Sequence, residues 1–147
     1  MSTLIIDPKN ELVMRNHALK DFPNECCGFF FGSGDAERAV THVTPVENSK
    51  DGDQRRRFQI SPTDYMKAER YALEHDLTLL GIYHSHPLHP AIPSEHDRVA
   101  AMPWFSYVIL SVNAEHVVDV TSWQLNDAHQ FERETVLTGT SNEIRRI

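Results

Sequence analysis

Two histidines separated by a single residue, His84 and His86, are the first side chains in this sequence whose type and spacing could do chemistry. They follow the apolar run Leu77–Tyr83, which predicts a buried strand. Side chains at positions i and i+2 of a strand point to the same side, with α-carbons about 6.5 Å apart, so both imidazoles can reach one metal ion. Taken alone, the two residues are more typical of a pair of surface histidines.

A catalytic zinc site needs a third protein ligand and one open position for water. The segment Pro93–Asp97 offers a carboxylate, Asp97, at the start of a predicted helix. Ser94 and Asp97 also form the pattern of a helix N-cap pair, which explains both residues without any metal. The pair follows the two histidines across a loop with three prolines, which restrict the loop and suit it to holding ligands in place. Both interpretations remain open at this point.

Together these residues resemble the signature of the JAMM (MPN) metalloprotease family, H-x-H-x7-S-x-x-D. The sequence from His84 to Asp97 matches this signature without a gap, and the stretch is especially similar to the compact prokaryotic branch of the family. Upstream, Glu25-Cys26-Cys27-Gly28 resembles the E-x-C-G strand of the same family. Further similarity lies in four other places: Asn48, Phe58–Pro62, Tyr107–Val112 and Trp123–Leu125.

The resemblance implies a zinc-dependent hydrolase with one zinc ion per chain and three ligands, His84, His86 and Asp97. A water molecule would take the fourth position. By the same resemblance, Glu25 would hold that water, take its proton and pass it to the leaving amine. Ser94 would donate a hydrogen bond to the oxyanion of the tetrahedral intermediate. Spacing alone does not select Glu25 among the acids, because Glu95 lies nearer to the ligands in the sequence.

The resemblance also implies a substrate, since compact prokaryotic members cut adducts at the C-terminus of ubiquitin-like sulfur-carrier proteins that end in Gly-Gly. A Gly-Gly tail has no side chains, so it can pass through a narrow cleft and pair with an exposed strand edge. The polar segment Glu47–Arg57 predicts a surface loop and is the candidate for the other wall of the cleft. Its run Arg55–Arg57 is expected to be solvated or, alternatively, to contact an acidic substrate.

Three other classes of protein share features with this sequence. A non-catalytic MPN scaffold typically lacks ligands, and all three positions are filled here. A RadC-like protein linked to DNA repair shares the signature but usually carries His-Asn-His-Pro-Ser-Gly, where this chain has His-Ser-His-Pro-Leu-His. Cytidine deaminases share the general architecture but need a Pro-Cys-x-x-Cys ligand pair. The only cysteines here, Cys26 and Cys27, are adjacent and are expected to be packed in a strand.

The strands and helices that position these residues are predicted to form one α/β domain, a mixed sheet flanked by helices. The resemblance implies that this domain has the MPN (cytidine-deaminase-like) architecture. Strands are predicted at Leu4–Ile6, Cys26–Phe31, Ala39–Val46, Phe58–Ile60, Leu77–Tyr83, Tyr107–Val112, Val117–Leu125 and Phe131–Leu137. Helices are predicted from Pro8 to Phe22, from Ser61 to Glu74 and from Ser94 to Met102. The domain is expected to cover residues 1–138, with a flexible tail at 139–147.

Inner faces are predicted for two of the helices: Leu12, Ala18 and Leu19 in the first, and Tyr65, Ala68, Tyr71 and Ala72 in the second. The composition, with 40% apolar and 24% charged residues, is typical of a folded globular protein. A net charge of −7 disfavours a nucleic-acid partner. No signal peptide, long apolar run or disulfide framework is recognised, so a cytoplasmic protein without membrane contact is expected.

Overall fold

The computed structural model describes residues 2–138 and 145–146 of the 147-residue chain. Its strands are β1 (Thr3–Ile6), β2 (Cys27–Gly34), β3 (Glu37–Val46), β4 (Thr78–Pro87), β5 (Ser106–Val112), β6 (Val117–Leu125), β7 (Phe131–Thr138) and β8 (Arg145–Arg146). Its helices are α1 (Pro8–Asp21), α2 (Pro62–Glu74) and α3 (Glu95–Ala100). The predicted mixed α/β domain is therefore confirmed.

All the described strands belong to one sheet, in the order β1-β3-β2-β4-β5-β6-β7-β8. Strand β1 also pairs with β7, so the strands from β1 to β7 form a closed ring. The pairs β1–β3, β1–β7 and β4–β5 are parallel, whereas the other neighbours are antiparallel. Closure gives β1 a partner on each side, an arrangement that no local pattern in the sequence predicts.

The two faces of the sheet pack against different helices, and β2 shows how. Phe30 packs into the apolar cluster that contains Met14 and Ala18 of α1. Its neighbours Phe29 and Phe31 point the other way, into the cluster that contains Ala68 and Ala72 of α2. All three phenylalanines are fully buried, and burying such a side chain contributes about 1.5–3 kcal/mol. Strand β2 is therefore buried on both faces and forms the centre of the fold.

The predicted helices are present, with one error on the inner face of α1. Leu12, expected to face the core, is 55% exposed, whereas Met14 and Ala18 are the fully buried residues. Leu12 lies about 200° around the helix axis from Met14, on the opposite side. Leu19 packs against the core as predicted. In α2 the four predicted inner residues all pack against the second cluster: Tyr65, Ala68, Tyr71 and Ala72.

The strand predicted at Phe58–Ile60 is wrong, because this segment joins no sheet. Its backbone is bonded to the preceding loop instead: Ser49 N donates to Gln59 O over 2.8 Å, and Gln59 N donates to the side-chain oxygen of Asn48 over 3.1 Å. The alternation that predicted a strand is real, since Phe58 and Ile60 pack against the second cluster while Gln59 is exposed. The segment packs as a strand would but lacks a strand neighbour.

The end of the chain is described only in part. The flexible tail was predicted at 139–147, and of these residues only Arg145–Arg146 lie within the described part, where β8 pairs with Leu137 and Thr138. The domain boundary at residue 138 stays a prediction. None of the described helices is both long and apolar enough to cross a membrane.

Candidate metal centre

Strand β4 carries both candidate histidine ligands. It continues through Pro87, so His84 and His86 lie inside the strand and not just beyond its end as the prediction placed them. His84 is aligned with Cys27 of β2 on one side and with Ile109 of β5 on the other. Because side chains alternate along a strand, both histidines share the face of the sheet that α2 covers. Both are buried.

The third candidate ligand, Asp97, is held by the start of α3. Ser94 is the N-cap residue: its side-chain oxygen accepts from Asp97 N over 3.0 Å, and Asp97 Oδ2 accepts from Ser94 N over 2.8 Å. This reciprocal pair is a capping box, which satisfies two backbone N–H groups at the helix start. The capping role considered from sequence is therefore confirmed. It is also what holds the carboxylate towards the histidines.

The three side chains meet at one point. His84 Nε2 lies 3.2 Å from His86 Nε2 and 3.4 Å from Asp97 Oδ2, and the distance from His86 Nε2 to Asp97 Oδ2 is 3.3 Å. Ligand atoms bound tetrahedrally at 2.0–2.1 Å from a zinc ion lie about 3.3–3.4 Å from one another. The triangle therefore fits three corners of a zinc coordination sphere. Among the described residues, this is the one group of three His, Cys, Asp or Glu side chains with that geometry.

The protonation states also suit a metal. Burial lowers the pKa of His84, so the ring is neutral, as a ligand must be. Burial alone would raise the pKa of Asp97, but both histidines and the Ser94 N–H hold it well below its usual range. Burial alone would lower the pKa of His86, yet its hydrogen bonds to Asp97 and to the Pro90 carbonyl raise it. The carboxylate thus attracts positive charge to the point where the three side chains meet.

Surrounding groups orient the two imidazoles in different ways. His86 Nδ1 lies 2.8 Å from the Pro90 carbonyl oxygen. A carbonyl can only accept, so Nδ1 carries a proton, and in the neutral ring Nε2 has the free lone pair that a metal ligand needs. Among the described residues, His84 Nδ1 has no hydrogen-bond partner. Its ring is held by stacking on Phe58, with ring centres 4.5 Å apart and an angle of 25° between the planes.

Glu25, which immediately precedes Cys26 and β2, lines a cavity of about 440 Å³ beside this triangle. The same cavity is lined by three other site residues, His86, Ser94 and Asp97. Glu25 is only 5% exposed. Burial raises the pKa of this carboxyl to about 8, with His86 and Arg57 acting to lower it and Asp97 to raise it. A carboxyl that titrates in this range can both take up and release a proton near neutral pH.

The side chain of Asn48 connects the loop Glu47–Arg57 to Glu25. Its Nδ2 donates to the carbonyl oxygens of Glu25 and Arg57, over 3.1 and 3.0 Å. Its Oδ1 accepts from the backbone N–H groups of Lys50 and Gln59, over 3.0 and 3.1 Å. All the hydrogen-bonding capacity of the amide is used. The sequence prediction included Asn48 only as part of a resemblance, since nothing local indicates which distant carbonyls an asparagine will bond.

The loop contributes to the cavity as expected, because Arg56 and Arg57 line it together with His86 and Asp97 of the metal triangle. A second cavity of about 310 Å³ is lined by His84 and Asp97 and has aromatic walls that include Phe58, Tyr65 and Tyr107. The residues of the triangle therefore contribute to two cavities, a charged one and an aromatic one. His89 lines the first and His96 the second.

Residues 8–126 match the family described as prokaryotic homologs of the JAB domain. The match covers most of the chain and includes the five site residues: Glu25, His84, His86, Ser94 and Asp97. The chain belongs to this family, the prokaryotic branch of the JAB (MPN) domains. The family resemblance derived from the sequence is confirmed, whereas the chemical role of each site residue stays a prediction.

Several curated proteins are similar to this chain. It is 29% identical over 112 residues to the CysO-cysteine peptidase of Mycobacterium tuberculosis, covering 76% of this chain and 75% of the relative. It is 31% identical over 103 residues to the probable TtuB-protein conjugate cleaving protease of Thermus thermophilus, covering 67% and 64%. It is 29% identical over 131 residues to the desampylase of Pyrococcus furiosus, covering 88% and 86%.

Two solution structures share the fold. A protein of Desulfitobacterium hafniense superposes with a TM-score of 0.80 at 27% identity, covering 94% of each chain. A protein of Salinibacter ruber superposes with a TM-score of 0.70 at 33% identity, covering 99% of this chain and 95% of the other. The closed sheet with its flanking helices is therefore an architecture that related proteins also adopt.

Proposed function

We propose that this protein is a zinc-dependent peptidase that hydrolyses an amide bond at the C-terminal Gly-Gly tail of a ubiquitin-like carrier protein. The observation that carries the proposal is the triangle of His84, His86 and Asp97, with edges of 3.2–3.4 Å, beside a cavity that Glu25 lines. Two relatives are named as a CysO-cysteine peptidase and a probable TtuB-protein conjugate cleaving protease, which supports a peptidase that acts on a protein adduct.

Each residue has a distinct task in the proposed reaction. When bound, zinc supplies a Lewis acid and lowers the pKa of its water to about 7. Glu25 takes the proton of the attacking water and gives it to the amine that leaves. Ser94 uses an acceptor position of its hydroxyl for the helix cap, so the hydroxyl hydrogen remains free to donate to the substrate oxygen as it becomes negative.

The non-catalytic scaffold remains the alternative, and the site disfavours it. Two of the three candidate ligands are buried histidines. Burying polar groups is unfavourable unless they have a hydrogen-bond partner or bind a metal. The RadC-like alternative would act on DNA, which the net charge of −7 disfavours.

The direct test uses a cognate carrier from the same organism whose Gly-Gly tail is extended by one or more residues. Zinc-loaded protein should trim the tail back to Gly-Gly, which intact-protein mass spectrometry detects as a loss of mass. If cognate carriers stay uncut while an unrelated peptide is hydrolysed, the carrier substrate is wrong and the peptidase remains. If the zinc-loaded protein hydrolyses no amide of either kind, the scaffold alternative is favoured.

A further inference from the structure

The end of the loop supplies two positively charged side chains to the charged cavity, which is also lined by the carboxyl groups of Glu25 and Asp97. Arg56 and Arg57 both line this cavity, and among the described residues neither has a carboxylate within 4.0 Å. Their neighbour Arg55 differs, because it is paired with Asp53 over 3.1 Å and does not line the cavity. The chain has 21 acidic and 14 basic residues, so most basic side chains could find an acidic partner. Two adjacent arginines that line a cavity without a carboxylate within 4.0 Å therefore suit an anionic ligand.

The position of these arginines relative to Glu25 is fixed by the loop. Asn48 Nδ2 bonds the carbonyl oxygens of both Glu25 and Arg57, and Glu25 N donates to Gln54 O over 2.7 Å. The backbone that carries the arginines is thus tied at two points to the backbone that carries the proposed base. Arg57 Nη1 also donates to the carbonyl oxygen of Arg56, which brings the two residues together.

The chemistry of the leaving group indicates which anion belongs there. Glu25 is proposed to protonate the leaving amine, so that nitrogen must come close to Glu25. In an α-amino acid the carboxyl carbon lies only about 2.5 Å from the amine nitrogen. A free α-carboxylate would therefore lie near the buried carboxyl group of Glu25, where an anion held away from water is unfavourable unless a cation pairs with it. A lysine side chain as leaving group has no carboxylate near its ε-amine, so it needs no such cations.

We propose that Arg56 and Arg57 form a subsite for the free α-carboxylate of the leaving residue. The preferred substrate is then a carrier extended by a single amino acid, and not a carrier joined to a lysine side chain. This inference rests on the proposed function and specifies its substrate. Guanidinium groups bind carboxylates through paired, charge-assisted hydrogen bonds, which is the recognition that this subsite requires. Pro90 and Ile92 of the same cavity offer apolar surface to the side chain of the leaving residue.

The test compares two forms of one cognate carrier, each extended by a single alanine after Gly-Gly. One form ends in the free carboxylate and the other in the carboxamide. Wild-type protein should cleave the acid at least about tenfold faster, measured as kcat/KM by intact mass. In the double variant Arg56→Ala/Arg57→Ala this ratio should fall towards one. Arg55→Ala is the matched control and should keep the wild-type ratio.

The outcomes separate the subsite from the peptidase function. Equal cleavage of acid and amide by the wild-type protein overturns the subsite and leaves the peptidase standing. An equal loss on both substrates in the double variant also overturns it, since the arginines would then act on some other part of the carrier. If neither substrate is cleaved by zinc-loaded protein, the proposed function fails, and the subsite fails with it. Zinc content and the melting temperature of each variant exclude a general loss of structure.

Discussion

A single oxygen atom, Asp97 Oδ2, connects the helix cap to the candidate metal site. It accepts from the Ser94 N–H over 2.8 Å and lies 3.4 and 3.3 Å from the Nε2 atoms of His84 and His86. Charge-assisted bonds of this kind are stronger than those between neutral groups. The same atom therefore stabilises the start of α3 and supplies the negative charge that a bound cation would neutralise.

Replacing His84 by alanine should remove most of the zinc. Protein purified without added metal or chelator is expected to contain about one zinc ion per chain, because three ligands are in place. His84→Ala leaves two ligands, so elemental analysis should detect little metal. His89→Ala is the matched control, since His89 lines the cavity without belonging to the triangle. Zinc retained in full by His84→Ala would contradict the ligand assignment.

Replacing Glu25 by glutamine should separate catalysis from metal binding. Glutamine keeps the size of the side chain but cannot accept the proton of the water, so activity should fall by about 10²-fold or more while zinc stays bound. Rate measurements and elemental analysis on the same preparation check this. Glu95→Gln is the control, because Glu95 is exposed and bonded to Arg98. Loss of zinc from Glu25→Gln would instead make Glu25 a ligand.

At the scale of secondary structure, the site is assembled from elements that are far apart in the sequence. Strand β4 provides the histidines, the six-residue helix α3 provides Asp97, and Glu25 comes just before β2. The antiparallel pairing of β2 with β4 aligns Cys27 with His84, which brings the preceding Glu25 to the same end of the sheet. The helix α3 depends on its cap, because a helix of only six residues is not stable by itself.

Substitutions of Ser94 should distinguish its cap from its proposed oxyanion role. Ser94→Ala removes both and should lower stability by about 1 kcal/mol, together with activity. Ser94→Gly is the informative variant: glycine at an N-cap costs only a few tenths of a kcal/mol, yet it has no hydroxyl. The melting temperature should therefore stay close to wild type while kcat falls about 10²–10³-fold. Near-normal kcat in Ser94→Gly would mean that the hydroxyl serves only the cap.

At the scale of the whole molecule, the metal triangle connects the central sheet to the short helix α3. The two apolar clusters on either face of the sheet contain the fully buried large side chains of β2, β4 and β5. The triangle joins β4 to α3, which otherwise connect through a loop with two prolines, Pro90 and Pro93. A bound metal should consequently stabilise the local arrangement of α3 more than it stabilises the sheet.

Removing the metal with a chelator should therefore lower the melting temperature without unfolding the protein. A ligand present at 100 times its Kd stabilises a fold by about 2.7 kcal/mol, which for a domain of this size is roughly 5–10 °C. Far-UV circular dichroism at 25 °C should stay unchanged, and hydrogen exchange should increase mainly around α3. Loss of the far-UV signal on chelation would make the metal a structural requirement of the fold.

Much of the secondary structure and of the burial pattern can be predicted from the local sequence. The inner face of α2, the strands around Phe29–Phe31 and Val108–Leu110, and the cap of α3 are predictable because side-chain periodicity and capping depend on near neighbours. The His-x-His spacing likewise puts two imidazoles on one face of β4. Asp97 is a candidate because it lies at the start of a predicted helix, but its role as a ligand, like the choice of Glu25, comes from resemblance to a family.

Only the tertiary structure decided the rest. The strand predicted at Phe58–Ile60 failed because alternation reports which side chains are buried and not whether a neighbouring strand exists. The closure of β1 onto β7, the bonds from Asn48 to Glu25 and Arg57, and the cavity lined by two arginines all join residues that are distant in the chain. Such contacts depend on how the whole sheet closes and packs, and a local pattern carries no information about them.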